Sequence, residues 1–447
     1  MDNILIRAND LYQELSDFIL EADGDVAVYL EEFSSLHLSR LSKSQYQGNQ
    51  DNQMVLSMFA SESRIKNKTP IELFIENQNN LSTTDINLLI NWQKSFVGLF
   101  SVKENSPTGL HLTNTMTDKD YHIKIKNSHE QQQLSRVKPG EILLTRISPL
   151  DDKNWIFSGP LTLMGRLGKP KLAVAIGNFK QNYPSHLYGD APELLKEAWL
   201  SVEYYHQQFI NFFEYDEITL TGRELEIKLS EFQEVLVNSR LASAGIDNSE
   251  SLQKIIDESD IDRREIIESA ETIDVDAQKV TNLLDNQVTS KMVTPKIDLP
   301  QEILKAPKVT VISHPRWGQI FLTDYEKLKS NFENSDFQSN PGQEKIIKDY
   351  LKKPEVSAYI FFRLREKYSP QLEKVLQNVL QTPNFSLIND LNQVLEKYNK
   401  ILSPELPEIA SVPIHLNNLF EEALLEVNSK KQSKRKGKTK GKTGFKT

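Results

Sequence analysis

The periodicity of the chain predicts an α+β protein, predominantly helical, with a small antiparallel β-barrel or curled sheet in the middle. Three observations carry that expectation. Apolar residues recur at helical spacing through residues 1–92 and 306–428. Between Phe96 and Met164 the period falls to two. Eight of the 17 glycines (98, 109, 140, 159, 165, 168, 177, 189) crowd between Val97 and Asp190, where short strands need turns. At 447 residues the chain also exceeds one ordinary core.

The elements follow in order. Residues 1–92 read as an N-terminal helical region. In "ANDLYQELSDFILEA", Leu11, Leu15, Phe18 and Ile19 share a face behind the capping candidates Asn9 and Asp10. "NQMVLSMFASES" and "STTDINLLINWQKSF" repeat the pattern, the second opening on Ser82 or Thr83 as N-cap, and "SKSQYQGNQDNQ" reads as a loop.

Residues 93–245 read as the barrel plus a helical hairpin. In "DYHIKIKN", Tyr121, Ile123 and Ile125 point one way and His122, Lys124 and Lys126 the other. Runs such as "FVGLFSV", "LHLTNTM", "EILLTRI", "WIFSG" and "LTLMG" are divided by turn signals, which gives five or six strands of SH3-like or OB-like size. The hairpin pairs "GDAPELLKEAWLSVEYYHQQFINFFEY", with Asp190 as its N-cap, and "TGRELEIKLSEFQEVLVNSRLA", and is expected to pack on the barrel.

Residues 246–305 form an acidic linker. Nine carboxylates stand between Asp257 and Asp276 against two arginines, and no aromatic occurs between Phe232 and Trp317, so little surface is available to offset ordering. "PKVTVISHPRWGQIFL" reads as one short strand or an extended lead-in to a C-terminal helical domain, 306–428. There "QEKIIKDYL", "PEVSAYIFFRLREKY", "SPQLEKVLQNVL", "NFSLINDLNQVLEKYN" and "PIHLNNLFEEALLEV" suggest five helices punctuated by prolines. Residues 429–447 read as a disordered basic tail.

Composition excludes much chemistry. There is no cysteine, which removes thiolate metal sites, disulfides and thiol nucleophiles. The eight histidines are scattered, with no pair at metal-binding helical spacing, and no hydrolase elbow, dinucleotide fingerprint or calcium loop appears. No catalytic residue, metal site or small-molecule cofactor is therefore assigned. "GKTKGKTGF" lacks the spacing of a phosphate loop, and "GRLGK" (Gly165–Lys169) follows a strand, where a turn explains it better than a nucleic-acid clamp. His206 reads as a hydrogen-bonded core or boundary residue of its helix. No apolar run approaches the roughly 18 residues of a membrane helix. The N-terminus lacks the basic and apolar regions of a signal peptide, so a cytoplasmic protein is expected.

The strongest functional signal is charge segregation. Lys430, Lys431, Lys434, Arg435, Lys436, Lys438, Lys440, Lys442 and Lys446 give the tail nine positive charges and no negative one. Against a chain total of −9, this leaves the rest twice as negative as the whole. Such a tail neutralises phosphates with steep salt dependence. RNA or a ribonucleoprotein is the leading partner. An anionic lipid surface, the acidic linker, or no specific partner are the alternatives. His122, Lys124 and Lys126 form a second candidate surface, near Arg136, Lys138 and Arg146 in sequence, against the plainer reading of a solvated strand face. The expectation is a non-enzymatic RNA-binding protein. The runner-up is an assembly or scaffold factor gripping a protein partner with its C-terminal helices, and a hydrolase with a spatially assembled carboxylate site is a further alternative.

Overall fold

The computed structural model describes residues 3–41, 49–243, 292–293, 299–334 and 337–439. It divides into two compact units, residues 1–195 with 415–447, and residues 196–414.

The first unit opens with five helices: α1 (Asn3–Leu20), α2 (Asp25–Leu41), α3 (Asn49–Glu62), α4 (Pro70–Asn77) and α5 (Thr83–Asn91). α1 starts well before the caps expected from sequence, because Leu5 and Ala8 extend the buried stripe of Leu11, Leu15 and Ile19; Asn9 and Asp10 lie inside the helix. Ser82 does cap α5, in a reciprocal box with Asp85. The expected loop "SKSQYQGNQDNQ" falls largely outside the described residues, and α3 already begins at its Asn49. These helices share a core with Leu150 and Ile156 from the barrel segment that follows.

Six strands come next: β1 (Phe96–Ser106), β2 (Gly109–Asn114), β3 (Asp120–Lys124), β4 (Ile142–Pro149), β5 (Asn154–Phe157) and β6 (Thr162–Gly165). Their order is β1-β2-β3-β5-β4-β6, and β4 pairs back onto β1, so the first five close a barrel. Phe100, Val102, Leu110, Leu112, Tyr121, Ile123, Leu143, Ile147 and Phe157 fill it. A short helix, α6 (Ser128–Leu134), links β3 to β4. The barrel is not wholly antiparallel: β3 and β5 run parallel, His122 opposite Asn154 and Ile123 opposite Trp155. A five-stranded barrel closed in this order is the Greek-key architecture of an OB-fold. Helix α7 (Lys169–Asn182) follows, with Gly168 at its N-cap, so the "GRLGK" glycines serve a strand end and a helix start.

Helix α8 (Pro192–Phe213) leads into the second unit. Asp190 is not its cap, since the amides of Leu194 and Leu195 donate to the Ala191 carbonyl. α8 from Lys196 onward and α9 (Gly222–Ser243) belong to the second unit and not to the barrel's. Two features the sequence reading missed explain this. The four-residue strand β7 (Glu217–Leu220), too short to show a pattern, pairs with β9 (Val309–His314), and β9 pairs with β10 (Gly318–Leu322). "PKVTVISHPRWGQIFL" is thus a hairpin rather than a single strand. On the other side Tyr205, Phe209 and Phe232 pack edge to face.

Four further helices, Tyr325–Phe332, Pro341–Lys352, Ala358–Leu380 and Leu387–Lys397, complete the second unit's core. Ala358–Leu380 holds the two expected helices, which meet at a kink where Tyr368 leaves the helical region just before Pro370. Most of the acidic linker lies outside the described residues. Of its described part, β8 (Met292–Val293) pairs with β11 (Val412–Pro413), and Gln301–Leu304 is one helical turn. The last helix, Ile414–Thr439, carries the backbone of the basic tail to Thr439, where a disordered segment was expected; lysine, arginine and glutamine are good helix formers and continue a helix already begun. Lys440, Lys442 and Lys446 lie outside the described residues. No helix among the described residues is long and apolar enough to cross a membrane.

Candidate nucleic-acid interface

Alternation along β2 and β3 sends Leu110, Leu112, Tyr121 and Ile123 into the barrel and leaves His111, His122 and Lys124 on its outer face. The antiparallel register sets His111 directly opposite His122, and Gly109 opposite Lys124. The two imidazoles consequently stack, ring centroids 4.5 Å apart and planes inclined by 28°. Gly109 has no alternative here, because a Cβ would collide with the Ile123 carbonyl oxygen.

One row further along the sheet, Asp120 faces Thr113 and accepts from its Oγ1 at 2.7 Å and from Lys103 Nζ at 3.0 Å. These bonds hold its carboxyl below the ordinary range, Thr113 contributing most. His111 Nε2 lies 3.5 Å from the same carboxylate. At the other end, the β4–β5 loop is tied by Asp151, whose Oδ1 accepts from the amides of Lys153 and Asn154, both at 2.8 Å. A bulge in β1 between Val102 and Glu104 curves the sheet around this face. The result is a shallow depression of about 180 Å³ bordered by Glu104, Thr108, His111, His122, Lys124 and Asn154. That is smaller than the roughly 300 Å³ at which enclosed small-molecule sites begin. It suits a ligand lying across the surface.

Of the residues singled out from the sequence, His122 and Lys124 meet here. Lys126 does not. Its ammonium is buried, donates to the Phe157 carbonyl at 2.5 Å and sits over the Tyr12 ring, and burial lowers its pKa. Strict alternation breaks after Lys124, where β3 ends. Arg146 is likewise structural: it is 1 % exposed, 2.5 Å from both Glu62 Oε1 and Ser61 Oγ. His186 Nε2 joins the same carboxylate at 3.2 Å. Arg136 and Lys138 lie in the α6–β4 loop beside the end of β1. Lys430, Lys431, Lys434, Arg435, Lys436 and Lys438 fall within the last helix. His111 and Lys103 were missed. His111 alternates outward within "LHLTN", but only the β2–β3 register reveals its partner.

The arrangement closest to a hydrolytic site is elsewhere. His206 Nδ1 lies 3.1 Å from Ser313 Oγ, but Ser313 is 1 % exposed, and the Asp216 carboxylate is engaged by Arg363 at 2.7 and 3.1 Å. A buried hydroxyl cannot reach a substrate, and the acid is committed to its ion pair. Among the described residues no three acidic or histidine side chains are grouped to hold a metal ion.

Residues 12–174 match the model of a family described as a family of unknown function (DUF7986). The matched span runs from within α1 through the barrel and into α7, so it takes in the histidine face and most of the N-terminal helices. No curated protein and no solved structure matches the chain.

Proposed function

We propose that this protein binds single-stranded RNA, alone or within a ribonucleoprotein, across the β2–β3 face of its barrel, in the cytoplasm and without catalysing a reaction. The observation that carries the reading is the His111–His122 stack with Lys124 on the face, and between the loops, that OB-folds use for oligonucleotides. Imidazole rings offer a platform on which a base stacks regardless of its identity. An oligosaccharide is the other ligand class such a face takes, and the lysines of the last helix favour a polyanion over it.

Charge on the face itself is mixed. Lys103 is engaged by Asp120, and the field of Lys124 reaches Asp151. Stacking therefore supplies local affinity, and residues 430–447 supply long-range attraction. The two contributions separate in a salt titration of a labelled oligouridylate. Deleting Lys430 to Thr447 should flatten the dependence of log affinity on log salt, while the His111→Ala/His122→Ala variant should lose affinity at every salt concentration with an unchanged slope. Failure of wild-type protein to bind RNA at low salt, with a protein partner retained through the helices of residues 325–397, would establish the assembly reading instead.

A further inference from the structure

In the second unit, the turn joining β9 to β10 is built to display one side chain. His314 Nδ1 accepts from the amides of Arg316 at 3.0 Å and Trp317 at 3.2 Å, which folds "HPRWG" tightly. Burial pushes the His314 imidazole down to about 4, so it stays neutral and keeps that lone pair. Gly318 closes the turn at φ +71°, and Pro407 packs where its side chain would be. Beneath the turn, Tyr359 braces His314 at 4.3 Å and stacks on Trp317 at 6.2 Å with planes inclined by 23°.

The turn so held lays the Arg316 guanidinium over the Trp199 ring, 3.9 Å from its centroid. Arg316 is exposed and pairs with no carboxylate among the described residues. Most exposed arginines sample many rotamers; this one stays exposed as a residue while its guanidinium carbon rests over an indole.

We propose that Trp199 and Arg316 form a second single-strand contact, in which a nucleobase stacks on the open face of the guanidinium and the adjacent phosphate takes its edge donors. Guanidinium planes are stacking surfaces for unpaired bases, and their forked donors match phosphate oxygens. A protein carboxylate would use the edge alone, whereas the indole–guanidinium layer gives added surface only to a planar ligand. The contact involves none of the barrel residues. It rests on the RNA reading only in the choice of ligand.

The test uses full-length protein and a fluorescein-labelled twelve-nucleotide oligouridylate. Arg316→Lys keeps the charge and abolishes the plane, so a roughly tenfold loss of affinity is expected, with Arg316→Ala losing somewhat more and circular dichroism unchanged in both. Crosslinking with 4-thiouridine in the same oligonucleotide should place an adduct on the peptide containing Arg316 and Trp317 of the wild-type protein. Wild-type affinity in both arginine variants would overturn the inference. The barrel reading would stand if His111→Ala/His122→Ala still lost binding. Loss in the arginine variants alone would support this contact and remove the barrel. Loss of a protein partner by Arg316→Ala, with RNA affinity unchanged, would assign the surface to a protein and overturn it.

Discussion

Arg146→Met should destabilise the barrel-bearing unit by about 3 kcal/mol at neutral pH, and the loss should fade in acid. The magnitude follows from Glu62. Burial alone would raise its pKa, yet the fields of His186 and Arg146 override burial and hold the carboxyl down from 4.5 to about 2. A depression of that size corresponds to about 3 kcal/mol of preference for the ionised form in the folded state. The folded protein thus binds fewer protons than the unfolded chain between those two values. This stabilisation is complete above pH 4.5 and is lost as pH falls towards 2. Removing Arg146 leaves the half-buried Glu62 carboxylate without its guanidinium partner, with His186 still beside it, and Ser61 Oγ loses its donor. Breaking one partner of a buried pair typically costs about 3–5 kcal/mol, consistent with that figure. Urea denaturation at pH 7 and pH 3, read from Trp92 and Trp155 emission with Trp199 and Trp317 replaced by phenylalanine, measures the difference. Glu62→Gln combined with Arg146→Met should recover part of the loss, since no charge is then stranded. A loss below about 1 kcal/mol, or one equal at both pH values, would refute the reasoning.

Two further predictions separate structural from functional polar groups. Lys126→Met should leave RNA affinity unchanged and alter stability by no more than about 2 kcal/mol, because methionine fills the space while removing a desolvated cation; Lys124→Met should do the reverse, weakening RNA binding with melting temperature unmoved. Asp190→Ala should cost about 2–4 kcal/mol in thermal or urea unfolding, since Asp190 Oδ2 accepts from Asn114 Nδ2 at 3.0 Å, Thr117 Oγ1 at 2.8 Å and Tyr121 Oη at 2.5 Å.

The barrel was legible because its signal is local. Period-two alternation with turn residues marks strands wherever one face is buried, and "DYHIKI" assigns Tyr121 and Ile123 inward from the chain alone. Strand order was not legible, because the parallel β3–β5 pairing and the return of β4 to β1 join residues far apart in sequence. The same limit hid the site. His122 and Lys124 follow from alternation, whereas His111 needs the register that brings it opposite. Lys126 was misplaced by carrying alternation past the end of β3 into a segment that turns inward. In the second unit β7 was invisible at four residues, so the α8–α9 pair was assigned to the barrel rather than to the sheet built on β9. Asp190 has the sequence context of a cap, but three barrel side chains compete for its carboxylate and hold it.

The most direct measurement compares wild-type protein with His111→Ala/His122→Ala in parallel anisotropy titrations of one labelled oligouridylate at a single moderate salt concentration. Base stacking is worth about 1–3 kcal/mol per base, so the variant should bind at least about fivefold more weakly while unfolding at the same temperature. Equal affinities for the two proteins would contradict the account.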